Sequence, residues 1–312
     1  MKQIKTILAT LLLSFVTSIS TYAFDIPLGD DEKSIYLKTT QEEHEHFIKE
    51  LPFGPTSIRF IDNSIWVADG LKDRIVEYDT NGNYINSIQL DMPNYSTIGD
   101  FCFGYYGNNK EKAIYVCDAD NPIIYIFKFT GKKIRQFGSL NQKTILLKPV
   151  RIEFEEGNIY ILDSERSNIF VYNTSFAQSK AIVTYSNNFA IENSVLFHID
   201  TNRGMKQIEI YDLKSGKRKN CRLDVPEDKN LDFIAYSNNF FYIGEMTKQE
   251  ESNQYQISKV DKDNKKTKLL TDYPVSFLVT SFIKDNLGKI YQIKFNPKQP
   301  TKISIDYLSD SF

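Results

Sequence analysis

The stretch Pro55–Gly82, PTSIRFIDNSIWVADGLKDRIVEYDTNG, sets the reading of the whole chain. Its apolar positions alternate, as in Ile58/Phe60, which is the period of a strand with a packed face. It divides into three strands, Thr56–Ile61, Ile65–Ala68 and Arg74–Tyr78, with turns at Asp62-Asn63-Ser64 and Asp79-Thr80-Asn81-Gly82. The stretch Pro149–Ser175, PVRIEFEEGNIYILDSERSNIFVYNTS, repeats it almost position for position. A module this small cannot bury its own apolar face, so it must stack on copies of itself.

Further copies fill the chain. Their landmark is the end of the second strand: Trp66-Val-Ala-Asp69, Tyr115-Val-Cys-Asp118 and Tyr160-Ile-Leu-Asp163, with weaker forms ending at Asp200, Glu245 and Lys294. Steps of 37 to 49 residues separate these landmarks, the spacing of four-stranded propeller blades. Six units result, the last lacking an outer strand. The expected fold is therefore all-β, a six-bladed β-propeller of four-stranded antiparallel blades closed by an N-terminal strand. Ser34–Lys38 is the segment expected to supply that strand, since closure removes an edge that invites aggregation. An open array capped by the N-terminal segment is the alternative.

The remaining composition narrows the class. Residues 1–23 have the form of a signal peptide: Lys2 and Lys5, the apolar run Ile7–Val16, and Ala23 at the expected cut. Residues 24–312 are then a single propeller domain, exported to the periplasm or secreted. No later segment approaches the ~20 apolar residues of a membrane helix. The formal net charge of −2 gives no sign of nucleic-acid partners. Three cysteines, Cys102, Cys117 and Cys221, do not make a disulfide scaffold. Cys102 and Cys117 fall on neighbouring strands, on opposite faces in the expected register, and are read as buried thiols.

The order Pro-x-x-Ile-x-Phe, turn, Ile-Trp/Tyr-Val/Ile-x-Asp resembles the NHL-repeat class of six-bladed propellers. With Gly131–Gly138 closing a blade, it also resembles exported bacterial six-bladed propellers. The match is good in units one to three and loose in four to six. It implies a blade and carries no activity by itself.

Chemistry is sparse. Asp69, Asp118 and Asp163 could ring one face around a ligand, but recurrence in successive blades fits turn-capping better, since a turn must be rebuilt in every unit. His44 and His46 flank Glu45, too few ligands for zinc, and His198 lies inside a strand. Asp261-Lys-Asp263-Asn264 lacks the glycine and the final glutamate of a calcium loop. No catalytic constellation and no metal site is expected. In a propeller, inner-strand starts and the loops after second strands share one side. Here that side would gather Arg74, Asp100, Arg151, Glu165, Arg166, Arg203 and Asp232 as binding candidates. Arginine forks suit carboxylates and phosphates, so an anionic small molecule or acidic peptide fits such a rim.

Two functions follow. One is a monomeric, non-enzymatic module that binds a protein, peptide or glycan through its loops. The other is a metal-dependent lactonase- or lyase-like enzyme. Resemblance to gluconolactonases and related lyases implies a central calcium or magnesium ion held at the inner ends of the blades, where Asp100, Asn188 and Asp232 are available.

Overall fold

The computed structural model describes residues 24–37, 54–107, 109–138, 146–200, 206–223, 231–248, 253–261, 266–271, 281–295 and 301–308. Residues 1–23, read above as a leader, and His44, His46 and Arg203 lie outside them. Strand β1 (Phe24–Pro27) comes first. Blade one is β2 (Ser57–Ile61), β3 (Ser64–Asp69), β4 (Arg74–Tyr78) and β5 (Tyr84–Gln89). Blade two is β6 (Ile98–Tyr106), β7 (Glu111–Asp118), β8 (Ile124–Lys128) and β9 (Lys133–Phe137). Blade three is β10 (Pro149–Glu155), β11 (Asn158–Asp163), β12 (Asn168–Asn173) and β13 (Gln178–Val183). Blade four is β14 (Phe189–Glu192), β15 (Val195–Asp200), β16 (Gln207–Asp212) and β17 (Arg218–Arg222). Blade five is β18 (Leu231–Ser237), β19 (Phe240–Lys248), β20 (Asn253–Val260) and β21 (Lys266–Thr271). Blade six has β22 (Phe282–Lys284), β23 (Ile290–Phe295) and β24 (Lys302–Tyr307), with β1 as its outermost strand.

Each blade is an antiparallel meander, and the six form a ring: a six-bladed β-propeller. Tight hairpins join first and second strands. In blade one, Ile61 pairs with Ser64, and Asp62 and Asn63 both take positive φ, 50° and 64°. Two such residues make the type I′ turn that matches strand twist, which is why Asp, Asn, Glu-Gly and Ser recur there. This defines a hairpin side. The opposite side, the loop side, carries the inner-strand starts, the second-to-third loops and the blade-to-blade crossings.

Among the described residues the core forms six clusters, each shared by two successive blades. One joins Ile75 and Ile88 of blade one to Ile98, Phe101 and Phe127 of blade two. Another joins Phe197 and Ile208 of blade four to Phe233 and Phe241 of blade five. The last closes the ring, packing Phe24 and Ile26 of β1 with Ile58, Val67 and Tyr78 of blade one and Ile293 and Ile305 of blade six.

The closing strand is therefore Phe24–Pro27 rather than Ser34–Lys38. It pairs Phe24 with Ile305 and Ile26 with Ile303, burying both apolar residues while Asp25 meets Lys302 and Ser304 at 2.6 Å. Ile35 forms only an isolated bridge with Leu28. The loop around it latches onto blade one: Tyr36 N–H donates to Asp69, Arg74 donates to the Glu32 and Ser34 carbonyls, and Tyr78 Oη donates to that of Lys33. One further expectation changes. Cys102 and Cys117 share one face, because Cys102 pairs with Tyr115 and both thiols lie in the core between blades two and three. They are free and buried, and burial pushes both thiols well up.

Ile26→Ala should lower unfolding free energy by about 2–5 kcal/mol, because a buried isoleucine at the seam leaves a cavity. Asp25→Ala, which removes only an exposed pair, should cost less than about 1 kcal/mol. Urea midpoints at constant slope read both. Equal small effects would place the seam elsewhere.

Candidate functional site

The inner strands of all six blades enclose a central cavity of about 300 Å³. Its ionisable lining includes Arg59, Arg151, Glu153 and Lys284. Arg59 spans three blades. Its Nε and Nη2 donate to Asp100 of β6, Nη1 to Glu153 of β10 at 2.7 Å, and Nη2 also to the Ile152 carbonyl. Asp100 is wholly enclosed and further accepts from Ser57 Oγ and the Ile152 N–H. Burial alone would raise its carboxyl. Arg59 and then Arg151 outweigh that and hold it below the usual carboxylate range. Burial likewise works against the Arg59 charge, but Asp100 and Glu153 overcome it and push the guanidinium up.

Arg151 is less well provided. Its Nη2 donates to Glu153 Oε1 at 2.7 Å, the oxygen that also accepts from Arg59, and its guanidinium lies 5.9 Å from the Phe189 ring centre. Burial first, and Arg59 beside it, push Arg151 down against the pull of Glu153. Around the other half of the hub, Lys284 of blade six donates to the Tyr236 carbonyl of blade five and to Glu192 of blade four, at 3.0 and 3.1 Å. Two cationic side chains thus clamp three blades each.

The repeated aspartates are each the last residue of a second strand, on the loop side, and each is buried. Asp118 accepts from the backbone N–H groups of Thr97, Asp120 and Asn121 and from Asn121 Nδ2. Asp163 accepts from the N–H groups of Leu147, Lys148 and Arg166. Asp69 accepts from Tyr36 N–H and Arg74 Nε. Each ties its own loop to another segment arriving on the same side.

The other candidates do not converge. Arg74 is buried in the latch to the N-terminal loop. Asp100 and Arg151 meet in the hub. Asp232 lies between blades four and five, accepting from Asn187 Nδ2 and from Tyr255 Oη. Tyr255 reaches it across Gly244, where any side chain would collide with the phenol. Glu165 and Arg166 are exposed on the loop side. Asn188, a suggested cation ligand, donates to the Phe233 carbonyl and accepts from Phe189 N–H. Arg59, Glu153 and Lys284 were not singled out by sequence. Their signal was a charge inside an apolar alternation, as in Ile58-Arg59-Phe60.

No family model matches the chain, and no curated protein matches it in sequence. Solved structures do match in shape. A DUF4221-family member from Bacteroides vulgatus aligns with a TM-score of 0.56 at 12% identity, covering 92% of this chain and 96% of its own. A candidate exported protein of Bacteroides fragilis aligns with a TM-score of 0.50 at 10% identity, covering 89% and 95%. At such identities the likeness shows the fold alone.

Asp100→Asn should cost about 3–5 kcal/mol by leaving two buried guanidiniums, Arg59 and Arg151, to share the single carboxylate of Glu153. Because Arg59 and Arg151 hold the folded carboxyl below the ordinary aspartate range of about 4, its contribution is complete above that range and drains away as pH falls through the folded value. Acid titrations of stability should therefore be flatter below about pH 4 in the variant. Parallel curves for the two proteins would refute the assignment.

Proposed function

We propose that this chain is an exported, non-catalytic binding propeller, built of NHL-like blades, that presents its loop side to a protein partner. One observation carries the reading: an arc of exposed apolar side chains crowns the loop side of blades one to four. Leu71 stands in the β3–β4 loop, and Tyr95, Leu147 and Tyr185 stand in successive blade-to-blade crossings. Tyr95 is 95% exposed and Tyr185 57% exposed. Tyrosines are favoured at protein interfaces because they bring large amphipathic area at small entropic cost. Tyr95 also takes φ of 66°, and its carbonyl accepts from Asn121 Nδ2 at 2.9 Å. A left-handed aromatic residue is a strained one, and strain maintained at a protruding ring supports a role for that ring.

Export is supported by the leader-like residues 1–23 and by the shape likeness to a candidate exported protein. Binding is favoured over cation-dependent catalysis by the condition of the side chains that a central cation would need. Asp100, Asn188 and Asp232 are each already engaged by protein groups.

The double variant Tyr95→Ala/Tyr185→Ala should weaken capture of the native partner about tenfold or more, at the scale of interface hot spots, with its melting temperature unchanged. Quantitative pull-down from the native envelope fraction, variant against unmodified protein, measures this. Undiminished capture would overturn the reading, and capture abolished by glycosidase treatment would move the partner to the glycans. In a separate titration, calcium or magnesium should leave the melting temperature where it was. Saturable stabilisation by either ion would restore the enzyme reading.

A further inference from the structure

Two neighbouring arginines in the hub are employed very unequally. A guanidinium carries five N–H donors. Arg59 commits Nε and both Nη groups, to Asp100, Glu153 and the Ile152 carbonyl. Arg151 makes one hydrogen bond, Nη2 to Glu153 Oε1, and its enclosed Nε has no partner among the described residues. The single oxygen it uses is shared with Arg59, and Asp100 is walled in by Arg59, Ser57 and the Ile152 N–H. No carboxylate is therefore left to Arg151 alone. An enclosed donor without an acceptor costs free energy, so this position is not explained by the fold it sits in. Arg151 nevertheless faces the cavity, whose other walls include Ile58, Phe60, Phe189, Ile234 and Phe282.

We propose that the hub cavity binds a small carboxylate carrying a compact apolar body, with Arg151 receiving the carboxylate. The planar fork of arginine matches a carboxylate's two oxygens, and the aromatic and aliphatic walls suit the remainder. At about 300 Å³ the cavity lies at the small end of ligand pockets, the size of a ring-bearing acid or one terminal residue of a peptide. Lys284 adds positive potential while its own ammonium stays tied to Glu192 and the Tyr236 carbonyl. Arg59 holds the strands in place, and Arg151 is the group left over for binding. This site is separate from the loop-side arc, so either assignment can fail without the other.

Calorimetric titration of the chain lacking residues 1–23 tests it, with phenylacetate and the neutral phenylacetamide as probes. The acid should bind and the amide should bind about tenfold more weakly or worse, since only the acid offers the arginine fork two anionic acceptor oxygens. Arg151→Met should lose the acid by a similar factor, while Tyr95→Ala/Tyr185→Ala should bind it as the unmodified protein does. A dipeptide ending in a free phenylalanine carboxylate, set against its C-terminal amide, tells the two sources apart. Tighter binding of the dipeptide identifies a chain terminus, and tighter binding of phenylacetate identifies a free acid. A second measurement needs no variant: phenylacetate should slow phenylglyoxal modification at Arg151 and leave exposed Arg166 reacting as before. Absence of binding by both acids, equal binding of acid and amide, undiminished binding by Arg151→Met, or equal protection of Arg151 and Arg166 would each overturn the proposal.

Discussion

The seam between blades six and one is the joint on which the ring depends. No blade keeps an apolar face to itself, since every core cluster is shared by two neighbours. At the seam, β1 supplies what β24 would otherwise leave open: Phe24 and Ile26 on the apolar side and a row of backbone partners on the other. The joint is built like the others. Gly82, in the last turn of blade one, presses on the Asp25 carbonyl so closely that a Cβ would approach it to 2.5 Å. Gly131 stands in the same relation to the Gln89 carbonyl at the joint between blades two and one. Both take positive φ of 82°, which glycine adopts without strain. Opening the seam would expose two apolar faces and one strand edge together, so its loss should be cooperative rather than local.

Charge at the hub answers a different constraint. In an ordinary half-buried strand a polar residue can alternate out to water. An inner propeller strand has neighbours on both faces and a narrow channel along its edge, so an arginine there must find partners in the ring. Arg59 finds them in two other blades. A buried ion pair of this kind is weak evidence of net stability, because desolvation offsets much of the attraction. What it does supply is geometric demand. The guanidinium is satisfied only when blades one, two and three stand in one relative position, and Lys284 makes a similar demand of blades four, five and six.

The repeat, the blade count and most strand positions were legible because a period of two and a recurring landmark are written in local sequence. Arg74–Tyr78 falls where the alternation puts it. What local sequence conceals is pairing at a distance. Phe24-Asp-Ile-Pro27 is only four residues long, too short for its alternation to stand out, and its partner lies at the far end of the chain. The longer run at Ser34–Lys38 looked more like a strand but became a latch. The cysteine faces depended on a single unit of register. Tyr106 pairs with Glu111 across the Gly107–Lys110 turn, which places Cys102 opposite Tyr115, and a slip of one residue reverses every side chain. The candidate site was less legible still. Arg151 was visible as a charge near an inner-strand start, but its spare donors exist only because Arg59, two whole blades away along the chain, competes for the same Glu153 oxygen.

The recurring aspartate links the architecture to the surface proposed to bind. Turn-capping and ligand presentation look like rival roles when only the repeat is visible. In three dimensions the first positions the residues proposed for the second. Asp163 holds the backbone N–H of Leu147, so the residue it caps is itself one of the exposed apolar ones. Asp118 holds Asn121 through Oδ2, and the same Asn121 amide group holds the Tyr95 carbonyl. Asp69 holds Arg74 at the end of the loop that displays Leu71. A buried carboxylate repeated at one position therefore fixes where each loop departs, while the residue exposed at its tip is free to differ from blade to blade. Selection on binding could then alter Leu71, Tyr95, Leu147 or Tyr185 without touching the joints, because the aspartate-centred hydrogen bonds run to loop backbone, to Asn121 and to Arg74, and not to the side chains on display.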